Sequence, residues 1–95
     1  MFSVYVLQSE KLSRFYIGST KDLQGRLEKH LSHFYGNQNF TTKADDWFLF
    51  LSIECTSEIQ ARKIELHIKS MKSRKYVENL LKYPEMILRL KNQFH

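Results

Sequence analysis

Two segments near the N-terminus, "FSVYVL" and "SRFYIG", alternate with a period of two, and only the polar stretch "QSEKL" separates them. No other feature restricts the fold as much, because two extended segments on so short a link pair as an antiparallel hairpin. Phe2, Val4 and Val6 then share a core face with Phe15 and Ile17, while Tyr5 and Tyr16 emerge together on the other face and Gly18 closes the second segment.

The remaining periodicities fill in the domain. Asp22 can cap a helix whose apolar stripe is Leu23, Leu27, Leu31 and Phe34, with Gly36 and Asn37 as its stop. Gly25 weakens that helix by about 1 kcal/mol relative to alanine. The stretch "GNQNFTTKADD" reads as a polar loop and as the most mobile segment. The nearly continuous apolar and aromatic run "WFLFLSIEC" predicts a strand covered on both faces, at the centre of the sheet.

Ser57 with Gln60 three residues on is a capping-box signature, and Ala61, Ile64, Ile68 and Met71 mark the buried face of a long helix to about residue 72. "KYVENLLKY" predicts a second helical piece. Pro84 suits the first turn of a last helix, from which Met86, Ile87, Leu90 and Phe94 pack back on the body. The expected fold is a single small α/β domain of the α+β type over residues 1–95. It has a central three-stranded antiparallel sheet flanked by helices in the order β-β-α-β-α-α-α.

Composition narrows the function. A chain of 95 residues, 42% hydrophobic and 14% aromatic, holds one small core. Its 15 Lys and Arg against 10 Asp and Glu, net +5, favour polyanionic partners such as nucleic acid or an anionic membrane surface. Cys55 is the only cysteine, which excludes an intrachain disulfide and a cysteine-based zinc site and suits a reducing cytoplasm. No apolar run approaches the roughly 18 residues of a membrane span and no secretory leader pattern is present, so a cytoplasmic chain without membrane partners is expected.

Few residues have the chemistry and position for a site. Arg26 lies about 85° around its helix from the centre of the apolar stripe, and His30 follows one turn later. They are either a solvated arginine and a satisfied histidine at the core's edge, or a guanidinium aimed at phosphate with a proton-carrying neighbour. Glu65 emerges at the border of the buried face, beside Ala61, Ile64 and Ile68. It either pairs with Lys69 at i+4 or holds a divalent metal, most simply magnesium, which needs only one or two carboxylates plus water and phosphate. The run "KSMKSRK" places Lys69, Lys72, Arg74 and Lys75 close together, either as a solvated face or as a track for a nucleic-acid backbone flanked by Lys43, Trp47 and Tyr76.

These residues, taken in order, resemble the GIY-YIG nuclease superfamily, in particular its small stand-alone bacterial members. "VYV" at 4–6 stands where the first strand's GIY stands, "YIG" at 16–18 matches the second motif, and Arg26 lies ten residues past the tyrosine. "EIQARKIE" matches the helix carrying the family's glutamate. The resemblance spans about residues 2–76 and leaves about 77–95 as a helical extension. Val4 and Val6 replace Gly and Ile of the first motif, and Ser19 stands where some members place a lysine.

The resemblance implies a DNA endonuclease of repair or recombination type, dependent on Mg2+ or Mn2+, that hydrolyses phosphodiester bonds around a single metal. Glu65 would hold the metal, Arg26 would neutralise phosphoryl charge, and Tyr5 or Tyr16 would act on the attacking water with His30 as an aid. A phenol with pKa about 10 is ionised only about one part in a thousand at pH 7, so a basic neighbour or the metal would have to activate it. Gly18 would let a phosphate backbone approach closely. Selection of substrate would rest on DNA structure or on a protein partner. The competing reading is a non-catalytic nucleic-acid-binding module of the same fold.

Overall fold

The computed structural model describes residues 2–31 and 46–95. β1 (Phe2–Ser9) and β2 (Arg14–Thr20) form the expected hairpin, with Tyr5 opposite Gly18 and Val6 opposite Ile17. The turn closes through the Ser13 N–H, which donates to the Glu10 carbonyl at 3.1 Å, and Ser13 takes a left-handed backbone with φ 52°. β3 (Phe48–Cys55) pairs antiparallel with the other side of β1, so the sheet order is β2-β1-β3.

The strand expected at the centre is therefore an edge, and β1 is the one buried on both faces. A bulge accounts for the misleading apolar run. Leu49 lies opposite Leu7 and Leu51 opposite Val6, leaving Phe50 as an extra residue. Phe50 and Leu51 consequently both reach the main core, and this erases the alternation that would have betrayed a strand with one exposed face. Phe48 and Leu49 are 42% and 39% exposed, and Ser52 and Glu54 face solvent.

Four helices cover the sheet: α1 (Leu23–Leu31), α2 (Glu58–Met71), α3 (Arg74–Lys82) and α4 (Pro84–Gln93). The element order matches the sequence reading. Val4, Val6, Leu51, Ile53 and Cys55 form the main core with Ala61, Ile64 and Ile68 of α2, Val77 and Leu80 of α3 and Leu90 of α4. Fully burying a side chain such as Ile64 or Leu80 stabilises by about 1.5–3 kcal/mol. On the opposite face Tyr5, Leu7 and Trp47 pack with Leu12, Tyr16, Leu23 and Leu27, forming a second, smaller layer under α1.

Caps fix where the helices begin. The Asp22 carboxylate accepts from the Gly25 N–H at 3.1 Å, and the Ser57 hydroxyl accepts from the Gln60 N–H at 3.1 Å. The capping box is displaced by one residue, because the Gln60 side-chain Oε1 takes the Thr56 N–H at 2.8 Å. The Gln60 amide also donates to the backbone carbonyls of Lys91 and Phe94, at 3.1 and 2.9 Å. α2 ends at Lys72, whose φ of 48° turns the chain into α3. Met71, expected on the buried face, is 43% exposed at that turn.

Met86, Ile87, Leu90 and Phe94 pack back as expected, and Pro84 occupies the first turn of α4. Cys55 is buried, and burial pushes its thiol above the ordinary range, which makes it unreactive. Among the described residues no helix is long and apolar enough to cross a membrane. The expected polar loop falls, apart from its last residue Asp46, outside the described residues.

Asp46 clamps the approach to β3 onto the hairpin turn. Its carboxylate accepts from the fully buried Ser9 hydroxyl at 2.6 Å and from the Lys11 N–H at 2.9 Å. These donors, the Ser9 hydroxyl first, hold the Asp46 carboxyl below its ordinary value. The clamp therefore contributes stability above the unfolded carboxylate value and loses it as pH falls through the lowered folded value. The acid-side decline of Tm below about pH 4 should accordingly be shallower in Asp46→Asn than in the wild type, with the variant less stable at pH 7. Parallel decline of the two proteins in thermal melts across pH would show that the clamp contributes nothing.

Candidate active site

Glu65 is placed by the packing of its own helix. Ala61, Ile64 and Ile68 anchor α2 on the sheet, and Glu65 between them emerges beside β2 with its side chain 17% exposed. One carboxylate oxygen accepts from the Ser19 hydroxyl at 2.5 Å, and the other is met by the Lys69 ammonium at 2.6 Å. The Lys69 pair is the i,i+4 contact that the spacing suggests. The Ser19 contact joins residues 46 positions apart and ties α2 to the end of β2.

Ser19 is shared by two hollows. A cleft of about 630 Å³ is bordered by Ser19 and Thr20 of β2, Arg26 of α1, and Ala61 and Arg62 of α2. A smaller hollow of about 260 Å³ is bordered by Ser19, Arg62, Glu65 and Leu66. Arg26 and Glu65, from helices on opposite faces of the sheet, thus open on adjoining spaces around one serine. Small Ala61 keeps the wall of the larger cleft low.

Tyr5 and Tyr16 lie on the α1 side as neighbours, ring centroids 6.3 Å apart and planes 27° from parallel. Tyr5 is buried and Tyr16 half-buried. The Tyr5 ring extends over β2 at Gly18, where a Cβ would stand 2.5 Å from the hydroxyl oxygen and 2.7 Å from Cζ. The sequence suggests close approach of a phosphate backbone at Gly18; the group that closes on it here is Tyr5 itself, and Gly18 is buried. From Gly18 through Ser19 to Glu65, bond lengths and the contacts above limit the separation of the Tyr5 hydroxyl from the Glu65 carboxylate to roughly 13 Å.

The basic run divides. Lys69, Lys72 and Arg74, joined by Arg14 of β2, border a depression of about 280 Å³ where the hairpin turn meets the α2–α3 junction. Arg74 donates to the Ser13 carbonyl and so fastens α3 to that turn. Lys75 is exposed and does not itself border the depression. Trp47 is buried in the second layer and cannot flank a ligand. Tyr76 is half-buried, its ring edge-on to His67 at 5.9 Å, and burial pushes its phenol up. The His30 side chain and all of Lys43 lie outside the described residues. Among the described residues no group of three or more His, Cys, Asp and Glu could hold a metal.

Two residues at the site, Arg62 and Arg14, escape a reading by motif, and a third, Ser19, is named by the motif only as a departure from it. Ser19 carried a usable signal, since it shares the core-facing phase of β2 with Ile17, and a hydroxyl on that phase needs a partner. Arg62 carried a weaker one, standing three residues before Glu65 on the same helix side.

The contact at Gly18 makes a measurable claim. Gly18→Ala should cost about 1–3 kcal/mol in chemical denaturation, because the added methyl meets a buried ring. In a Tyr5→Leu background the same substitution should cost clearly less, and equal costs in both backgrounds would refute the contact.

Among protein-family models, the GIY-YIG catalytic domain matches residues 1–77. Comparisons with curated proteins and with solved structures gave no match. The matched segment runs from β1 through α2 into α3 and contains Tyr5, Tyr16, Ser19, Arg26 and Glu65. The chain belongs to the GIY-YIG catalytic-domain family.

Proposed function

We propose that this protein is a divalent-metal-dependent DNA endonuclease that hydrolyses phosphodiester bonds with one metal held at Glu65. Family membership supports a nuclease-type activity with DNA as substrate. The observation that supports the finer reading is that Glu65 and Arg26 border adjoining hollows that share Ser19, with the Tyr5 hydroxyl end laid over the neighbouring Gly18.

The donor set fits the ion. One partly open carboxylate suits magnesium or manganese, which fill their remaining positions with water and phosphate oxygens. When bound, the ion supplies Lewis-acid stabilisation of charge on the departing oxygen. Arg26 offers a planar pair of donors to the phosphoryl oxygens across the cleft. Ser19 holds the Glu65 carboxylate in orientation. One of Tyr5 and Tyr16, as its phenolate, would orient the attacking water and take its proton, with His30, one turn beyond Arg26, as a further proton carrier. Arg14, Lys69, Lys72, Arg74 and Lys75 follow the backbone of the bound strand. Selection then rests on DNA structure or on a targeting protein, in repair or recombination.

Branched, flapped, single-stranded and duplex DNA incubated with Mg2+ or Mn2+ tests the reading. Wild type should cleave at least one of these, EDTA should abolish cleavage, and Glu65→Ala and Arg26→Ala should each lower the single-turnover rate by about 100-fold or more. Cleavage persisting in both variants would overturn the assignment of these residues. Salt-sensitive binding without cleavage of any substrate would instead support a non-catalytic nucleic-acid-binding module.

A further inference from the structure

We infer that Lys69 is an internal competitor of the metal: its ammonium occupies Glu65 in the free protein and leaves it for a substrate phosphate when the ion binds. The inference rests on the metal site proposed above and adds a residue to it.

Both oxygens of the Glu65 carboxylate are engaged by protein donors, Ser19 Oγ on one and Lys69 Nζ on the other. A cation drawn to this carboxylate must displace or share one of them. The two donors differ in what leaving costs. Ser19 is short, half-buried and fixed on a strand, whereas Lys69 ends a flexible four-carbon stem and is 49% exposed at its side chain. Lys69 is therefore the donor that yields. An i,i+4 pair of this kind is a weak tie, which a divalent charge at the same oxygen outcompetes.

Lys69 also has somewhere to go. It borders the depression shared with Arg14, Lys72 and Arg74, a cluster of positive charge that an ammonium joins favourably only when an anion is present. A DNA phosphate there takes up Lys69 and leaves the Glu65 oxygen to the metal. Metal and DNA thus favour each other's binding through one side chain, and by linkage the effect is mutual.

The test is Mn2+ titration without DNA, followed by the electron-paramagnetic signal of free Mn2+, for wild type, Lys69→Met, Lys69→Gln and each lysine variant combined with Glu65→Gln. Relief of competition should tighten Mn2+ binding by about three- to ten-fold in both lysine variants, and Glu65→Gln should remove the gain. A merely structural role for Lys69 predicts the opposite sign, since a loosened helix holds the carboxylate less well, and thermal melts would register that loosening. Binding in wild type that depends on Glu65 but is unchanged or weaker in the lysine variants would overturn the competitor role and leave the metal site intact. Absence of Mn2+ binding in every protein, alongside Glu65-dependent cleavage of DNA, would likewise overturn it. Absence of both binding and metal-dependent cleavage would remove the metal site and the competitor together.

Discussion

A tyrosine ring laid across a glycine sets the geometry of the whole site. Tyr5 leaves the central strand and its hydroxyl end lies over β2 at Gly18, where no side chain stands in its way. The same ring belongs to the layer on which Leu23 and Leu27 seat α1, the helix that presents Arg26. One residue after the glycine, Ser19 turns to the other face and meets Glu65 from α2. Two helices on opposite faces are in this way brought to a single strand edge. The alternation of a β-strand, which ordinarily keeps its two faces apart, here delivers groups from both to one place.

That edge carries an unusual charge arrangement. Lys21, Arg26 and Arg62 stand around one end of β2, and Arg14, Lys69, Lys72 and Arg74 around the other, with Glu65 between them. An edge strand is prone to pair with foreign strands, and flanking positive charge is one way proteins suppress this. The cations alone would thus need no ligand to explain them. It is the half-buried carboxylate among them, tied to a serine on the strand, that makes the arrangement chemical. The opposite edge solves the same problem differently: β3 exposes Phe48 and Leu49 but is kinked by its bulge at Phe50, which spoils it as a template.

Much of this was legible in the sequence, and the parts that were not have identifiable causes. Alternation in the hairpin and four-residue spacing in α2 are local, and local periodicity survives folding, so the layers, the order of elements and the border position of Glu65 could be read directly. Strand order could not. A run such as "WFLFLSIEC" looks the same whether two faces are buried or a bulge has put neighbouring residues on one face, and only pairing with β1 distinguishes them. The role of Gly18 was hidden for a related reason: the sequence shows that something must come close, and only the cross-strand register names Tyr5. Ser19 belongs to the same class: its phase on β2 calls for a partner, and only the fold names Glu65, 46 residues away.

Gln60 has a bearing on where this domain ends. The family resemblance closes at residue 77, yet Gln60, within it, spends both amide hydrogens on carbonyls at the far end of α4, and Leu90 lies in the same core as Val4 and Ile64. The segment matched by the family model and the segment packed into one core are therefore different lengths of chain. α4 is part of the packed body, its Leu90 buried in the same core as the sheet. Because Gln60 directly precedes Ala61 on the helix that bears Glu65, α4 braces that helix from outside the segment matched by the family model. Relatives lacking such a helix would have to steady that end of α2 by some other means.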